Sequence, residues 1–223
     1  MTAKANVLSR LRSALQATGD DSVRKAAVAA RLKSAPNGVI TARAQLPSKA
    51  QAELFIAMAQ KFSATVARVK SAKDVPAAVS DYLRSRNLPS RAAIGTDARL
   101  AAMAWKGQKN LDLKSGPSDG TDETGISHAF AAIAETGTLV MTSGADNPTT
   151  LNFLPENHIV VLDATSIKGD LETIMSDIRS TYGKGVMPRT VNFITGPSRS
   201  GDIEQTILLG AHGPRALHIV LVE

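Results

Sequence analysis

The sequence predicts an α/β fold in which a mainly parallel sheet is covered by helices on both faces. Short apolar runs typical of strands alternate with segments of helical periodicity. The run His158–Leu162 is apolar after its first residue, as in a strand that is buried on both faces. A chain of 223 residues can also bury a core without disulfides. We therefore expect a helical N-terminal extension over residues 1–45 and one α/β domain over residues 46–223.

The positions of the individual elements follow from the spacing of apolar residues. Helices are predicted at residues 4–17, 23–33, 47–62, 74–87, 97–104, near 127–133 and at 170–182. Strands are predicted at residues 65–69, 91–95, 138–141, 158–162, 191–195 and 217–222. Ser22 is the expected N-cap of the second helix, and Thr96 or Asp97 that of the fifth.

The net charge of +6 is divided unevenly along the chain. Residues 1–114 carry 20 Lys and Arg against 7 Asp and Glu, whereas residues 115–223 carry 6 against 13. The basic residues are scattered at helical spacing and aromatic residues for stacking on bases are scarce, so the composition does not favour nucleic-acid binding. A basic half of this kind is suited to an acidic partner protein or to an anionic substrate.

The chain has no cysteine, which excludes disulfides, a thiol nucleophile and thiolate-held zinc or iron–sulfur centres. No apolar run approaches the roughly 20 residues that a membrane span needs. The first 16 residues mix basic and apolar side chains and lack the uninterrupted apolar core of a secretory signal. We therefore expect a cytoplasmic protein, with a mitochondrial-type presequence as the alternative interpretation of the N-terminus.

A first candidate segment runs from Ala134 to Thr138 and is predicted to join a helix to a strand. Glu135 is a candidate general base, nucleophile or hydrogen-bond anchor, and Thr136, Gly137 and Thr138 follow it. In the alternative interpretation, Gly137 caps the helix and Glu135 is a solvated residue at its end. A carboxylate at that position would oppose the helix dipole, which favours some compensating use of Glu135.

A second candidate segment is the turn at residues 196–201, which follows a predicted strand. Gly196, Pro197, Ser198 and Ser200 supply backbone N–H groups and hydroxyls of the kind that bind anions. The turn lacks both the Walker signature and the Gly-x-Gly-x-x-Gly signature. Its composition alone is also typical of an ordinary loop.

Two carboxylates and a histidine complete the candidate set. Asp202 and Glu204 share one face if their segment is extended, whereas in a helix they diverge and Asp202 is an N-cap. His212 lies in a predicted loop and is the candidate functional histidine, while His158 and His218 lie in predicted strands and are expected to be core residues. Because no histidine pair has His-x-x-x-His spacing, a metal site is not expected. A Gly-x-Ser-x-Gly elbow is also missing, so a hydrolase of that type has no support.

Taken together and in order, these segments resemble the lactate-utilisation protein C family, the LUD-domain proteins. The motifs that carry the resemblance are Ala132–Val140, Ser143-Gly144, Leu154-Pro155 before His158-Ile159, Gly196-Pro197-Ser198, Asp202-Ile203-Glu204, Gly210-x-His212-Gly213-Pro214 and Leu217-His218. The match is close over about residues 120–223, holds only in pattern over 45–115 and is nearly absent before 45.

The resemblance implies a Rossmann-like three-layer α/β/α sandwich with a mainly parallel sheet, similar to the NagB/RpiA/CoA-transferase group. It also implies an L-lactate utilisation system that oxidises lactate to pyruvate together with iron–sulfur partner proteins. This chain would carry no cofactor and would bind a small anionic ligand near the carboxyl ends of its strands. Glu135, His212 and Glu204 are then the candidate catalytic residues, and Ser143 joins the ligand-binding set.

Two other functions stay open at this point. The chain could be a non-catalytic assembly subunit whose basic N-terminal region docks on an iron–sulfur partner. By analogy of fold alone, it could also be a CoA-transferase with a glutamyl nucleophile or a sugar-phosphate isomerase. The sequence predicts neither the oligomeric state nor the identity of the ligand.

Overall fold

The computed structural model describes residues 2–16, 21–203 and 206–223, and for residues 201–203 and 206–208 it describes the backbone alone. The chain forms two compact units, Met1–Val39 and Ile40–Glu223. The first unit contains helix α1 (Ala3–Ala14) and helix α2 (Ser22–Ser34). Thr2 caps α1 by accepting a hydrogen bond from the Ala5 N–H. Ser22 is the first residue of α2 and not its N-cap.

The second unit contains the remaining helices and all of the strands assigned in the described residues. Its helices are α3 (Ser48–Lys61), α4 (Val75–Ser85), α5 (Ala98–Ala101), α6 (Thr150–Phe153) and α7 (Leu171–Tyr182). Its strands are β1 (Thr65–Val69), β2 (Arg91–Ile94), β3 (Asp112–Ser115), β4 (Thr124–His128), β5 (Ala131–Ile133), β6 (Thr138–Thr142), β7 (Asn157–Asp163), β8 (Ile167–Lys168), β9 (Val191–Ile194), β10 (Arg199–Ile203), β11 (Thr206–Leu209) and β12 (Ala216–Val222).

Six parallel strands form the large central sheet, in the order β1-β12-β7-β4-β2-β3. Strands β7 and β12 are neighbouring interior strands, and their apolar side chains point alternately to the two faces. Val160, Leu162 and Ile219 belong to one core cluster, whereas Ile159, Val161 and Val220 belong to another. A continuous apolar run is therefore required in these strands, as the sequence predicts for His158–Leu162.

Helices α4 and α5 cover one face of the large sheet, with Val79, Leu83 and Leu100 buried in the second cluster. On the opposite face, α3 contributes Phe55 and Ala59 to the first cluster. The predicted Rossmann-like three-layer fold with a mainly parallel sheet is thus confirmed. The layer that contains α3 also includes a second, smaller sheet.

The small sheet has the order β8-β5-β6-β9 and is mainly antiparallel. Helix α7 covers its outer face through Ile174 and Ile178. The helix predicted near 127–133 is wrong, because this segment contains the end of β4 and the whole of β5. Alanines at 129, 131, 132 and 134 favour a helix locally, but burial between the two sheets requires extended chain.

The hairpin of β10 and β11 follows the turn after β9. Since β10 includes Asp202, the interpretation of Asp202 as a helix N-cap is wrong. Glu204 lies outside the described residues. The short elements β3 and α6 were not predicted, and the predicted helix 97–104 is shorter, ending at Ala101. Asp97 does cap that helix, accepting a hydrogen bond from the Arg99 N–H at 2.8 Å.

Candidate functional site

A cavity of about 270 Å³ opens where the two sheets meet. Its walls come from the amino ends of β7 and β12, the carboxyl end of β9, helix α6 and the turns around residues 198 and 213. The residues that line it are Asn152, Phe153, His158, Phe193, Ile194, Thr195, Gly196, Pro197, Ser198, Arg199, His212, Gly213, Pro214 and Leu217. A mostly apolar lining with a few polar groups is typical of small-molecule sites.

The sequence predicts a site near the carboxyl ends of the strands, and the cavity lies only partly there. The turn at residues 196–198 does lie at the carboxyl end of a strand, but that strand, β9, belongs to the small sheet. In the large sheet the cavity lies at the amino ends, because His158 is the second residue of β7 and Leu217 is the second residue of β12. Four predicted residues, Gly196, Pro197, Ser198 and His212, come together in its lining.

Asn152 and His158 of the cavity lining form a hydrogen-bonded group with Ser127, which the sequence does not predict. Ser127 Oγ lies 2.6 Å from His158 Nε2 and donates a hydrogen bond to Asn152 Oδ1 at 3.4 Å. All three side chains are buried, with His158 1% exposed. Among the described residues, His158 Nδ1 has no hydrogen-bond partner. A buried polar atom left without a partner costs free energy, and because Nδ1 is itself buried it is not exposed to the cavity.

Burial also determines the charge of His158. The apolar surroundings lower the pKa of His158 to about 3, since no water stabilises the protonated ring. The imidazole is therefore neutral at physiological pH. In a neutral imidazole one nitrogen is a donor and the other an acceptor, so the ring can take part in both kinds of hydrogen bond.

The turns that form the mouth of the cavity are held together around Ser198. Its backbone N–H donates to the Pro214 carbonyl at 2.8 Å, and its carbonyl accepts from the Gly210 N–H at 3.0 Å. Its hydroxyl accepts from the backbone N–H of His212 at 3.3 Å. The Ser198 N–H is therefore not available for an anion, in contrast to the general expectation for this turn. The exposed imidazole of His212 lies at the rim.

Positive charge at the cavity comes from Arg199. Among the described residues that line the cavity, Arg199 alone carries a permanent charge. Arg199 is exposed, and its guanidinium donates to the hydroxyl of Ser63. An arginine in the lining of a largely apolar pocket favours an anionic ligand, above all a carboxylate, which can bind a guanidinium in a bidentate manner.

Glu135 lies outside this cavity. Residues 134–137 form the turn between β5 and β6, so the predicted helix end, and with it the interpretation of Gly137 as a helix cap, is wrong. The Glu135 carboxylate accepts a hydrogen bond from Thr41 Oγ1 at 2.7 Å and lies 3.9 Å from Arg43 Nε. In the structure, Glu135 thus anchors the segment that leads into α3.

A line of hydroxyl groups joins this turn to the cavity wall. Thr136 Oγ1 lies 2.7 Å from Thr138 Oγ1, which in turn lies 2.7 Å from Thr195 Oγ1. Thr195 lines the cavity, so the two candidate segments lie at the same end of the small sheet. The geometry brings them together as neighbours, although Glu135, Thr136 and Thr138 do not line the cavity themselves.

Both segments contain a glycine that contacts the C-terminal part of α3. Gly137 has φ +67°, and a Cβ atom there would lie 2.5 Å from the Ala59 nitrogen. Gly196 has φ +76°, and a Cβ atom there would overlap the Phe62 carbonyl oxygen. These two glycines permit positive φ and close packing, which gives them a structural role whether or not they contact a ligand.

The remaining predicted residues lie apart from the cavity. Ser143 follows β6, where its hydroxyl accepts from the Thr190 N–H at 2.9 Å. Ser200 is in β10 and its hydroxyl is buried without a partner in the described part of the chain. The backbone of Asp202 also belongs to β10.

The two other histidines lie outside the cavity. His218 stacks on Tyr82, with ring centroids 4.0 Å apart, and its Nδ1 lies 2.7 Å from Thr65 Oγ1. Its burial lowers its pKa to about 4. His128 ends β4 and lies 3.5 Å from Asp163, and burial also lowers its pKa. Within the described ranges, no group of three metal-binding side chains is placed to hold a metal ion.

We expect Glu135→Gln to lower the free energy of unfolding by about 1–2 kcal/mol, because it replaces a charge-assisted hydrogen bond to Thr41 with a neutral one. The exposed ion pair with Arg43 adds little to this loss. Urea denaturation measures the change, and Thr41→Val should give a similar value. Additive losses in the double variant would contradict a direct interaction between the two side chains.

Comparison with known proteins gives a consistent assignment. The fold defines a Rossmann-like α/β protein with a small-molecule cavity between its sheets. The sequence pattern of the LUD domain matches residues 52–222, and the chain belongs to the LUD domain family. No helix within residues 2–16, 21–203 and 206–223 is both long and apolar enough to span a membrane.

Several curated relatives carry the name lactate utilization protein C. The protein from Geobacillus thermodenitrificans is 36% identical over 130 residues, which cover 56% of this chain and 52% of the relative. The protein from Geobacillus sp. strain WCH70 is 34% identical over 122 residues, covering 54% and 48%. The Bacillus subtilis protein is 32% identical over 136 residues, covering 52% and 57%. The chain thus spans about half the length of the curated relatives it matches.

A solved structure supports the fold. The crystal structure of a DUF162 family protein from Deinococcus radiodurans superposes with a TM-score of 0.55 at 20% identity. The superposition covers 80% of this chain and 99% of the other. At this level of identity the likeness concerns the fold alone.

Proposed function

We propose that this protein is a component of an L-lactate utilisation system and binds a small carboxylate in the cavity between its two sheets. The observation that carries the proposal is a largely apolar cavity whose one permanent charge among the described lining residues is Arg199. Membership of the LUD domain family, and relatives named for lactate utilisation, support the choice of this ligand class. The carboxylate binds Arg199, and His212 lies at the rim.

The proposal includes partners. Oxidation of lactate to pyruvate needs an electron acceptor, and this chain contains no cysteine with which to hold an iron–sulfur cluster. Iron–sulfur partner proteins in the cytoplasm would therefore accept the electrons, while this chain binds and orients the ligand. Because Glu135 is engaged with Thr41 and does not line the cavity, a glutamyl nucleophile has less support than ligand binding.

We expect Arg199→Gln to weaken L-lactate binding about ten- to a hundred-fold, since a charge-assisted hydrogen bond contributes about 1.5–3 kcal/mol. Isothermal titration calorimetry measures the affinity, and growth on L-lactate of a strain that carries only the variant measures the consequence. Arg189→Gln is the matched control, because Arg189 is exposed and does not line the cavity. Equal affinities for both variants would place the ligand elsewhere.

A second candidate function is that of an assembly subunit, which the separate N-terminal unit favours. Residues 1–39 carry seven basic and two acidic residues and form their own compact unit. Deleting them would then abolish co-purification with an acidic partner, and salt would weaken the intact complex. Retained co-purification after the deletion would rule out this role for the N-terminal unit.

A further inference from the structure

We infer that the N-terminal unit, residues 1–39, binds the surface of an anionic phospholipid bilayer through its two amphipathic helices. The described residues that line the cavity all belong to the second unit, so this surface has no part in the carboxylate site. Three features of the unit support the lipid surface: an apolar stripe on α1, an apolar face on α2, and the charge of both helices.

Helix α1 presents a stripe of aliphatic side chains. Steps of three and four residues separate Leu11 from its neighbours on the same face, which are Val7, Leu8 and Leu15. These four side chains are between 39% and 76% exposed. Within Ala3–Ala14, all of which the structure describes, no side chain is buried. The stripe is therefore apolar surface that would gain stability from contact with an apolar phase.

Helix α2 has a comparable apolar face. Along it runs a groove of about 330 Å³, which is lined by Asp21, Arg24, Lys25, Val28, Ala29 and Leu32. Val28 and Leu32 are 52% and 69% exposed. Residues 22–34 are all described, and they too include no buried side chain. Both helices thus carry an uncovered aliphatic face.

The charge of the two helices has one sign. Three basic residues lie in α1 and four in α2, with no acidic residue in either helix. On one side of the α1 stripe, Arg10 lies one helical turn after Val7. On the other side, Arg12 lies one turn after Leu8. The guanidinium groups can stay among lipid headgroups while the leucines enter the boundary with the acyl chains. Anionic lipid complements this charge, and each Lys or Arg near its surface strengthens binding about five-fold.

The composition of the unit favours a lipid surface over the acidic partner protein of the second candidate function. Residues 1–39 contain no Phe, Trp or Tyr, whereas the residues that dominate protein interfaces are enriched in Trp and Tyr. Aliphatic side chains with basic neighbours are sufficient for a bilayer, which offers no shaped pocket to fill. At 12 and 13 residues, α1 and α2 are shorter than the roughly 20 residues of a membrane span, so they would lie in the plane of the headgroups.

Binding is tested with the full-length protein and two kinds of vesicle. One contains phosphatidylcholine alone, and the other contains equal parts of phosphatidylcholine and phosphatidylglycerol. We expect co-sedimentation to show at least about ten-fold tighter binding to the anionic vesicles. Raising NaCl from about 0.05 M to about 0.5 M should weaken this binding about ten-fold or more, because salt screens the surface charge.

Substitutions on the two faces of α1 test the apolar stripe. Leu8→Gln with Leu11→Gln should weaken binding to the anionic vesicles about ten-fold or more, because glutamine preserves helix propensity but removes the apolar surface. Ser9→Gln with Ser13→Gln changes the other face of α1 and is the matched control. We expect this control to bind like the wild type.

A second pair of variants tests the charge. Arg10→Gln with Arg12→Gln should weaken binding about twenty-five-fold, at about five-fold for each charge, and should reduce its salt dependence. Lys106→Gln with Lys109→Gln removes the same charge from exposed positions of the second unit, and its effect should be much smaller. Equal effects of the two variants would show that the N-terminal unit is not the binding surface.

The remaining outcomes are equally decisive. Equal binding to both vesicles, or binding to neither, would overturn the lipid surface. Unchanged binding of the Leu8→Gln, Leu11→Gln variant would show that charge alone attracts the protein, which overturns the role of the stripe. If that variant loses only an acidic partner protein, or only self-association in sedimentation equilibrium, the stripe binds protein and not lipid. The carboxylate site is tested separately by Arg199→Gln and stands or falls on its own.

Discussion

Gly196→Ala and Gly137→Ala are each expected to lower the free energy of unfolding by about 2–5 kcal/mol. Both positions have φ in the left-handed region, which costs an alanine about 1–2 kcal/mol. Both also lie against backbone atoms of the C-terminal part of α3. A methyl group would have to displace main chain, and such overpacking adds typically 1–3 kcal/mol.

Gly185→Ala separates these two contributions. Gly185 has φ +78°, close to the value at Gly196, but a Cβ atom there would meet nothing within 4 Å. We expect this control to lose only the conformational part, about 1–2 kcal/mol. Chemical denaturation with a constant m-value measures all three variants. Equal losses at Gly185 and Gly196 would show that the contact with α3 contributes nothing.

The second large effect that we expect is a loss of folding stability at acidic pH. Burial lowers the pKa of His158 to about 3 and that of His218 to about 4, well below the ordinary value near 6.5. Between these values and pH 6.5 the unfolded chain binds more protons than the folded one, so stability falls as the pH falls. At 1.36 kcal/mol per pH unit, each histidine costs about 2 kcal/mol by pH 5, and the two together about 4 kcal/mol.

Denaturation at pH 7.5, 6 and 5 measures this dependence above the range in which most carboxylates titrate. A plot of the free energy of unfolding against pH has a slope that reports the protons taken up on unfolding. His158→Gln and His218→Gln should each reduce this uptake by about one proton, even if they also lower stability at pH 7.5. His128 contributes in the same direction, so some slope persists in the double variant. An unchanged slope in both single variants would mean that neither ring is held neutral by burial.

The core strands could be predicted because their apolar runs are long or alternate clearly. Residues 65–69 and the run around Val160 were located from pattern alone. The strands within 127–133 could not be predicted, because the alanines of this segment favour a helix. Strands this short also contain too few residues to show a clear alternating pattern. Its burial depends on a second sheet, which pairs segments more than 50 residues apart, Leu139 with Ile194.

The same error hid the contact between Ser127 and His158. The turn residues Gly196 and Ser198 and the loop residue His212 were recognisable from composition, and they do line the cavity. Ser127 was assigned to a helix, so its contact with His158 could not be anticipated. The β-branched residues Thr124 and Ile126 at alternate positions are a strand-like signal that favours the correct assignment.

The two walls of the cavity belong to different sheets, His158 to the large one and Ile194 to the small one. The distance between these walls therefore depends on the side chains packed between the sheets, such as Leu139 and Val160. Core residues that do not line the cavity thus set its width, and a change in core volume would alter the cavity while every lining residue is kept.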